Sequence, residues 1–305
     1  MELYYENTDI TEDVDIVRCV HHESSSGRCD CLEIELEHAA AWYSWGPKQD
    51  DRIIAALNGY NTGQMYLNTV LPQEGRFRIL ATSIPNAARR TAWRSYAGMT
   101  LSEILADCAA ECGMDSRIYG LDSRITYPFL LRRGESGAAF LSRLLEWEGA
   151  VFKTFSGRFM GIGIEYAQEM DAKQVIEISP DQPGVTYLRR DSERLSGITL
   201  KTPYAVCSAV DNAAPSGNWA VYTELPVLDE VCGGRWARGT LLTHNRRAEE
   251  LTISSEFNAG FSSMTRIDVD SGTDMAGAWI IDEAEHDFIN KTSKAKMYRC
   301  INTIR

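Results

Sequence analysis

Several potential catalytic residues lie close together at residues 132–164, in the stretch RRGESGAAFLSRLLEWEGAVFKTFSGRFMGIGI. Glu135, Ser136, Glu146 and Glu148 are the side chains that acid–base or nucleophilic catalysis would use. Successive helical positions turn by about 100°, so Glu146 and Glu148 point in different directions and cannot face each other across a cleft. No nearby histidine offers a base for Ser136. The pattern therefore favours a helix cap and a solvated face, and it predicts no catalytic residues.

Three glycines of the same stretch, Gly157, Gly161 and Gly163, raise the question of a phosphate-binding loop. Such a loop needs a strand, then the glycines, then a helix. Here Ser156 and Gly157 stand between two short apolar runs, which is the pattern of a β-hairpin. The glycines are therefore interpreted as a turn and as points of close backbone approach, and no cofactor is predicted.

Cysteine and histidine gather near the N-terminus in CVHHESSSGRCDC, where Cys19, His21, Cys29 and Cys31 are the candidate metal ligands. Zinc sites favour cysteines about two to four residues apart, whereas closer spacing places both sulfurs on one face of a strand. The segment ESSSGR has the composition of a hairpin loop, so the two pairs could meet across strands. Reduced cysteines on a β face are the favoured interpretation, and a metal site is the alternative.

Three tryptophans are compatible with a role in binding carbohydrates or a receptor. Trp42, Trp45 and Trp236 could each stack on a sugar ring, although packing or a subunit contact explains such residues equally well. His286 stands among acidic residues and is interpreted as a hydrogen-bonded structural side chain.

The first part of the chain alternates as β-strands do. In CLEIELE, apolar residues alternate with Glu33, Glu35 and Glu37, which predicts a strand with one packed face and one charged face. DRIIAALNGYNTGQMYLNTV predicts two strands around a turn that contains Asn58-Gly59, and GRFRILATS predicts another strand.

The central part changes to a helical period in MTLSEILADCAAECGM. Thr100 and Glu103 form a capping-box pattern, and Gly113 is placed to end the helix. A second helix after Ser136 and the hairpin at Gly157 complete a predicted α+β unit.

The last part of the chain returns to β patterns and ends in a long hairpin, GAWIIDEAEHDFINKTSKAKMYRCINTI. Alternation slips near residues 282–284, which predicts a β-bulge. The predicted fold class is α+β and mainly β, with domains at residues 1–95, 96–170 and 171–305. The middle domain is the α+β insert, and the last includes a β-rich excursion.

The composition of the chain excludes some classes of function. The chain has 305 residues, of which 44% are hydrophobic, and a formal net charge of −12. Because phosphate contacts need lysine and arginine, stable nucleic-acid binding is not expected. No apolar run is long enough to predict a membrane span, and the acidic N-terminus does not resemble a signal peptide.

Four stretches in this order resemble a known family. They are CLEIELEHAAAWYSWGPKQDDRI, TSIPNAARRTAWRSYAGMTLSEILADCAAECGM, YPFLLRRGESGAAFLSRLLEWEGAVFKTFSGRF and GAWIIDEAEHDFINKTSKAKMYRC. The order is similar to that of the phage late control gene D proteins, which are baseplate hub proteins of contractile tails and tailocins and are related to the hub part of VgrG. Leu131, Arg132 and Arg133 depart from the family pattern, which commonly has a glutamine there.

The resemblance implies a structural protein rather than an enzyme. It implies two tube-like β-barrel domains, at residues 1–95 and 171–305, that flank the insert. Three chains would form a homotrimer that adapts a sixfold tail tube to a threefold spike. The expected partners are a tube protein, a separate spike protein and further tape-measure and baseplate wedge proteins. The expected location is the baseplate of a virion or tail-like particle assembled in the bacterial cytoplasm.

One hypothesis concerns the channel of such a particle. Glu33, Glu35 and Glu37 are candidates to line it and to keep DNA or the tape-measure protein from sticking. The alternative functions are a receptor- or carbohydrate-binding tail protein and a baseplate-associated cell-wall hydrolase.

Overall fold

The computed structural model describes residues 1–25, 27–37, 46–73, 75–179 and 181–305. The α-helices of these residues are α1 (Leu101–Ala110), α2 (Gly137–Trp147), α3 (Ile164–Glu169) and α4 (Glu230–Asn245), and short 3-10 turns cover Asn86–Arg89 and Asp191–Glu193. The strands before α2 are β1 (Glu2–Tyr5), β2 (Thr8–Asp9), β3 (Asp15–Ser24), β4 (Cys31–Glu37), β5 (Arg52–Leu57), β6 (Tyr60–Asn61), β7 (Met65–Gln73), β8 (Arg76–Thr82), β9 (Thr91–Tyr96), β10 (Met99–Thr100), β11 (Asp115–Tyr119), β12 (Thr126–Tyr127) and β13 (Leu130–Ser136). The strands after α2 are β14 (Ala150–Phe155), β15 (Arg158–Gly163), β16 (Val175–Glu177), β17 (Val185–Arg189), β18 (Gly197–Lys201), β19 (Val206–Val210), β20 (Trp219–Tyr222), β21 (Glu249–Glu256), β22 (Arg266–Asp270), β23 (Gly277–Asp287) and β24 (Thr292–Arg299).

One curled sheet joins the two ends of the chain. Its central path runs β17-β21-β24-β23-β3-β4-β8-β7-β5-β1-β2, and β6, β16 and β22 bring it to 14 strands. The N-terminal and C-terminal strands meet where β3 pairs with β23 in antiparallel register. The predicted fold class, α+β and mainly β, is confirmed.

The predicted bulge lies where β23 changes partners. Residues 277–280 of this strand pair with β22, and residues 283–287 pair with β3. The register of β23 against β24 shifts between Ile281 and Glu283. The residue at the shift, Asp282, is buried and accepts a hydrogen bond from the Ser25 hydroxyl. The bulge therefore allows the single long strand β23 to pair with β22 along its first part and with β3 along its last part.

The insert unit is built as its caps and turns predict. Thr100 and Glu103 form the complete capping box of α1, and Ser136 accepts a hydrogen bond from the Ala139 amide at the start of α2. The hairpin β14–β15 turns at Ser156 and Gly157, which both have positive φ. Strand β11 joins this hairpin in parallel, and both helices pack on the resulting sheet.

The buried apolar residues that the structure describes fall into three clusters. The first lies under the N-terminal strands, includes Leu32, Ile34 and Leu36, and also takes in Phe288 from the C-terminal hairpin. The second lies under β21–β24. The third joins the insert to the excursion, because residues such as Leu144 and Trp236 share it. The division into three domains at the predicted boundaries stays a prediction.

In the part of the chain that the structure describes, no helix is both long enough and apolar enough to cross a membrane.

Candidate functional site

The predicted charged face of β4 carries paired charges. Glu33 contacts Arg78 at 2.5 Å and Arg18 at 3.4 Å, while Glu37 contacts Arg76 at 2.6 Å. Glu35 stands in register between Arg18 on β3 and Arg78 on β8. The three glutamates are therefore half-buried on one side of the sheet, which is the predicted charged side, and arginines on both neighbouring strands largely balance their charge.

The same side of the sheet continues across the joint between the two halves. Directly paired residues point to one face, and the register runs from Cys31 to His22, Glu285, Lys294 and Ser254. His22 and Glu285 lie 3.2 Å apart across the β3–β23 pair. We call this side, with the glutamates of β4 and the charged residues of β23 and β24, the charged face.

The charged face forms a depression near the joint. A cavity of 380 Å³ is lined by residues of β3, β4, β21, β23 and β24. Acidic and basic strands alternate here too, because Glu283 is in register with Lys296 and Glu285 with Lys294. Both halves of the chain thus contribute to one concave surface of mixed charge.

Behind the charged face, a buried lysine holds three parts of the chain together. The Nζ of Lys153, on the insert strand β14, lies 2.7 Å from Glu23 of β3 and 3.2 Å from Asp30 of the β3–β4 loop. It also donates a hydrogen bond to Ser263, in the loop between β21 and β22. We call Glu23, Asp30, Lys153 and Ser263 the ion cluster.

Hydrogen bonds hold the carboxylates of the ion cluster in place. Glu23 accepts hydrogen bonds from the Tyr60 hydroxyl at 2.6 Å, the Ser262 hydroxyl at 2.9 Å and the Ser263 amide at 3.1 Å. Asp30 accepts one from the Ser24 amide at 3.0 Å. The chain itself therefore supplies hydrogen-bond partners to both carboxylates and to the ammonium of the ion cluster.

Burial and neighbouring charges set the ionisation of the cluster. Burial favours the neutral form of Glu23, but the Lys153 ammonium and the hydrogen bonds outweigh it and hold the pKa of this carboxyl well below its usual range. Burial raises the pKa of Asp30 to about 6, although Lys153 opposes that shift. Burial disfavours the Lys153 ammonium as well, yet Asp30 and Glu23 keep its pKa above the ordinary value. The firm ion pair is therefore Lys153 with Glu23.

His21 adjoins the ion cluster on the same face of β3. Its Nδ1 lies 2.7 Å from the Tyr60 hydroxyl, whose single proton is donated to Glu23. Nδ1 must then carry the imidazole proton, which leaves Nε2 as a buried acceptor without a hydrogen-bond partner among the described residues. Burial lowers the pKa of His21 to about 3, so this imidazole is neutral.

The candidate metal ligands do not come together. Cys19 lies in the N-terminal core and His21 bonds Tyr60, while Cys29 and Cys31 are half-buried at the other end of the hairpin. The hairpin itself is confirmed, but its register places His22, rather than His21, beside Cys31. Among the described residues no group of three or more potential ligands is close enough to hold a metal ion.

Glu135, Ser136 and Glu148 have structural roles. Ser136 caps α2, as predicted, and Glu135 pairs with Arg143. Glu148 is buried and accepts hydrogen bonds from Arg235 at 3.0 Å and from the Trp236 indole at 2.6 Å. The cap interpretation is confirmed, but the solvated-face interpretation is wrong for Glu148, whose buried carboxylate anchors α4.

Glycine at residue 163 marks a close backbone approach rather than a phosphate loop. A Cβ on Gly163 would lie 2.8 Å from the carbonyl oxygen of Gly120. Gly157 occupies the hairpin turn with a φ of 74°. Both predicted roles are confirmed.

Trp236 is wrong as a sugar-stacking candidate. It is fully buried, and its ring packs on Trp147 at 4.7 Å between centroids. Trp42 and Trp45 lie outside the described residues. His286 is structural, as predicted, because its Nε2 contacts the Phe261 carbonyl at 2.8 Å and its Nδ1 contacts Ser293 at 2.9 Å.

The overall architecture matches solved tail proteins over nearly its whole length. The tail protein from Neisseria meningitidis MC58 superposes with a TM-score of 0.76 at 9% identity, covering 98% of this chain and 95% of that one. The 43 kDa tail protein of prophage MuSo2 from Shewanella oneidensis gives 0.74 at 12% identity, covering 98% of both chains. The chain has the fold of phage tail proteins.

A third similar structure extends the tail-protein fold beyond phages. The E. coli c3393 protein, described as a component of the type VI secretion system with structural similarity to the T4 tail proteins gp27 and gp5, superposes with a TM-score of 0.62 at 14% identity. The alignment covers 99% of this chain and 77% of that protein. The resemblance to baseplate hub proteins is therefore confirmed at the level of the fold. No protein-family model and no curated protein sequence matches the chain.

Within this tail-protein fold, the ion cluster and α4 were not predicted. The ion cluster could have been predicted from Lys153, because a lysine within the apolar strand AVFKTF indicates a buried cation. Asp229 before EVCGGRWARGTLLTHN was the available sign of a helix, since its side chain caps α4 by accepting a hydrogen bond from the Cys232 amide at 2.7 Å. Three glycines, Gly233, Gly234 and Gly239, weaken the helical pattern.

Proposed function

We propose that the chain is a structural baseplate hub protein of a contractile phage tail or a tail-like particle. It would act as a homotrimeric adaptor between a sixfold tail tube and a threefold spike. The proposal rests mainly on the extent of the structural alignments with two solved tail proteins. The Neisseria meningitidis protein aligns over 98% of this chain and 95% of its own length, and the prophage MuSo2 protein aligns over 98% of both chains. A match of that extent supports shared architecture rather than one shared module.

The single curled sheet supports a mechanical role. Its N-terminal and C-terminal strands are joined through β3–β23, and the Lys153 ion cluster fastens the insert to both. A load applied at one end of the chain would therefore reach the other through continuous backbone hydrogen bonds. That is the property an adaptor between tube and spike requires.

The charged face supports a channel-lining role for Glu33, Glu35 and Glu37. In the proposed trimer this concave surface would face the bore. Because each acidic strand has a basic neighbour, the surface offers neither DNA nor a tape-measure protein a large patch of opposite charge. Sliding without adhesion would follow from balanced charge rather than from acidity alone.

Native mass spectrometry of the purified chain, alone and with its tube and spike proteins, tests the hub proposal. We expect a species of three times 34.1 kDa, at least when the partners are present. Deletion of the chain in the producing bacterium should leave tails without an assembled tube. A chain that stays monomeric with both partners, or peptidoglycan hydrolysis by the purified protein, would count against a structural hub.

A further inference from the structure

The ion cluster holds an amine and two carboxyl groups in direct contact, with almost no access to solvent. The Lys153 side chain is 6% exposed, and those of Glu23 and Asp30 are each 3% exposed. The Lys153 Nζ lies 3.2 Å from Asp30 Oδ2 and 2.7 Å from Glu23 Oε2. An amine and a carboxyl group can condense to an amide when the fold holds them together in a site that excludes water.

Asp30 has the surroundings of an electrophile as well as those of a counterion. Its Oδ1 accepts a hydrogen bond from the Ser24 amide at 3.0 Å, whereas its Oδ2 is the oxygen that contacts the Lys153 Nζ. The Ser24 amide is therefore placed to stabilise the negative charge that develops on Oδ1 when a nucleophile attacks Cγ. Burial raises the pKa of Asp30 to about 6, which favours the neutral carboxyl group that such an attack needs.

Glu23 is placed to accept a proton from the same nitrogen. Its Oε2 contacts the Lys153 Nζ, and hydrogen bonds from the Tyr60 hydroxyl and the Ser263 amide fix the carboxylate. The Lys153 charge and these donors hold the pKa of Glu23 well below its usual range, so this group stays ionised. An ionised carboxylate is a poor electrophile, but it can serve as a general base.

We propose that Lys153 and Asp30 form an intramolecular isopeptide bond, with Glu23 as the catalytic base. One ammonium proton of Lys153 passes to Asp30 Oδ2, which gives a neutral amine and a neutral carboxyl group. The Nζ electron pair then forms a bond to Cγ, and Glu23 takes a second proton from the nitrogen. Glu23 returns that proton to Oδ2 as the Cγ–Oδ2 bond breaks, so the products are an amide and one water molecule.

The bond would form slowly and then persist. Asp30 and Glu23 keep Lys153 charged in the folded chain, so the neutral amine is a minor state and we expect the reaction to take hours after folding. Glu23 and Ser24 also line the 380 Å³ cavity of the charged face, which gives the released water a way out. Residues 30 and 153 are 123 positions apart, so the amide would tie the insert covalently to the N-terminal strands. This cross-link is independent of the proposed hub function.

Intact-mass spectrometry of the purified full chain tests the bond. The parent chain should weigh about 18 Da, one water molecule, less than its sequence. Trypsin should release residues 29–48 and 144–158 as one branched peptide, because a linked Lys153 is no longer cleaved. A branch that joins residues 144–158 to residues 19–28 would overturn the assignment to Asp30, because that peptide contains Glu23. A parent chain that keeps the mass of its sequence after a day near pH 6 would overturn the proposal.

Variants show which side chains make the bond. Lys153→Arg keeps a cation but cannot form the amide, because a guanidinium does not lose its proton, so this variant should have the mass of its sequence. Glu23→Gln should form the bond at least about a hundredfold more slowly in a time course after refolding. Lys173→Met, at an exposed position, is the control that should show the same loss of mass as the parent. A loss of water from Lys153→Arg equal to that of the parent would refute the assignment to Lys153.

Discussion

At the scale of single residues, the buried Lys153 ammonium joins three parts of the chain. Its ammonium is 6% exposed and lies between two carboxylates that are each 3% exposed. Such a triad adds little net stability compared with apolar packing, but removing one member leaves the others buried and unpaired. The ion cluster therefore decides whether the insert, the N-terminal strands and the C-terminal loop stay together.

Lys153→Met should lower the free energy of unfolding by about 3–5 kcal/mol, because it leaves the Glu23 carboxylate buried without its cation. Urea unfolding at pH 7 measures the change. Lys173→Met, at an exposed position, is the control and should stay within about 0.5 kcal/mol of the parent chain. A loss of less than about 1 kcal/mol for Lys153→Met would mean that the ion cluster is not the fastening described above.

His21 should make stability depend on pH. Burial lowers the pKa of His21 from 6.5 to about 3 in the folded chain, so the unfolded chain binds this proton more readily. The contribution of neutral His21 to the free energy of unfolding is therefore complete above pH 6.5 and is lost progressively as the pH falls toward 3. The loss is about 1.4 kcal/mol per pH unit for one such group. Asp30 has the opposite effect on stability between its ordinary pKa and about pH 6, because its pKa is raised in the folded chain. The contribution of His21 is therefore measured as the difference between the parent chain and a variant without this histidine.

The measurement is the free energy of unfolding between pH 7 and pH 5 for the parent chain and for His21→Phe. The parent should lose about 2 kcal/mol more than the variant over this range. Parallel curves for the parent and His21→Phe would show that His21 does not carry this dependence.

At the scale of elements, α4 packs so closely on the end of α2 that glycine is required. A Cβ on Gly239 would lie 2.1 Å from the Trp147 carbonyl oxygen and 2.3 Å from the Gly149 amide nitrogen. Both obstacles are backbone atoms, which cannot move aside as a side chain can. The glycines that weaken the helical pattern are thus partly explained by the contact they permit.

Gly239→Ala should cost about 3 kcal/mol of unfolding free energy, at the upper end of the range for overpacking, because the helix must shift away. Gly234→Ala is a matched control on the same helix. A Cβ there meets no atom within 4 Å, so this change should stabilise the chain by about 0.5–1 kcal/mol. Urea unfolding of both variants is the measurement, and equal effects would refute the packing argument.

At the scale of the whole molecule, the charged face links both halves of the chain in one surface. Its glutamates were predicted to repel cargo by their own charge, yet Arg18, Arg76 and Arg78 balance them. In the proposed hub, the balance of the surface should then matter more than the sign of any one residue.

Changing Glu33, Glu35 and Glu37 all to Arg should unbalance this surface, because arginines would then face arginines on three strands. We expect the killing or plaque titre per assembled particle to fall on the order of tenfold. The paired exchange Glu37→Arg with Arg76→Glu keeps both the ion pair and the net charge, and it should keep the titre. A normal titre for the triple variant would remove the channel-lining role.

Local features were predictable from the sequence because each depends on residues close together in the chain. The capping box of Thr100 and Glu103, the Ser136 cap, the Ser156-Gly157 hairpin and the bulge at Asp282 all arise from patterns a few residues long. Alternation in CLEIELE likewise identified the charged side of β4 before its partners were known.

Only the tertiary structure decided which distant residues meet. The partners of Lys153 lie more than a hundred residues away in sequence, and the pairing of β3 with β23 sets which charges share a face. Arg246 has the same sequence character as any other arginine, and packing alone buries its guanidinium. Local patterns record which side of an element is apolar, whereas strand register and helix crossing determine what that side contacts.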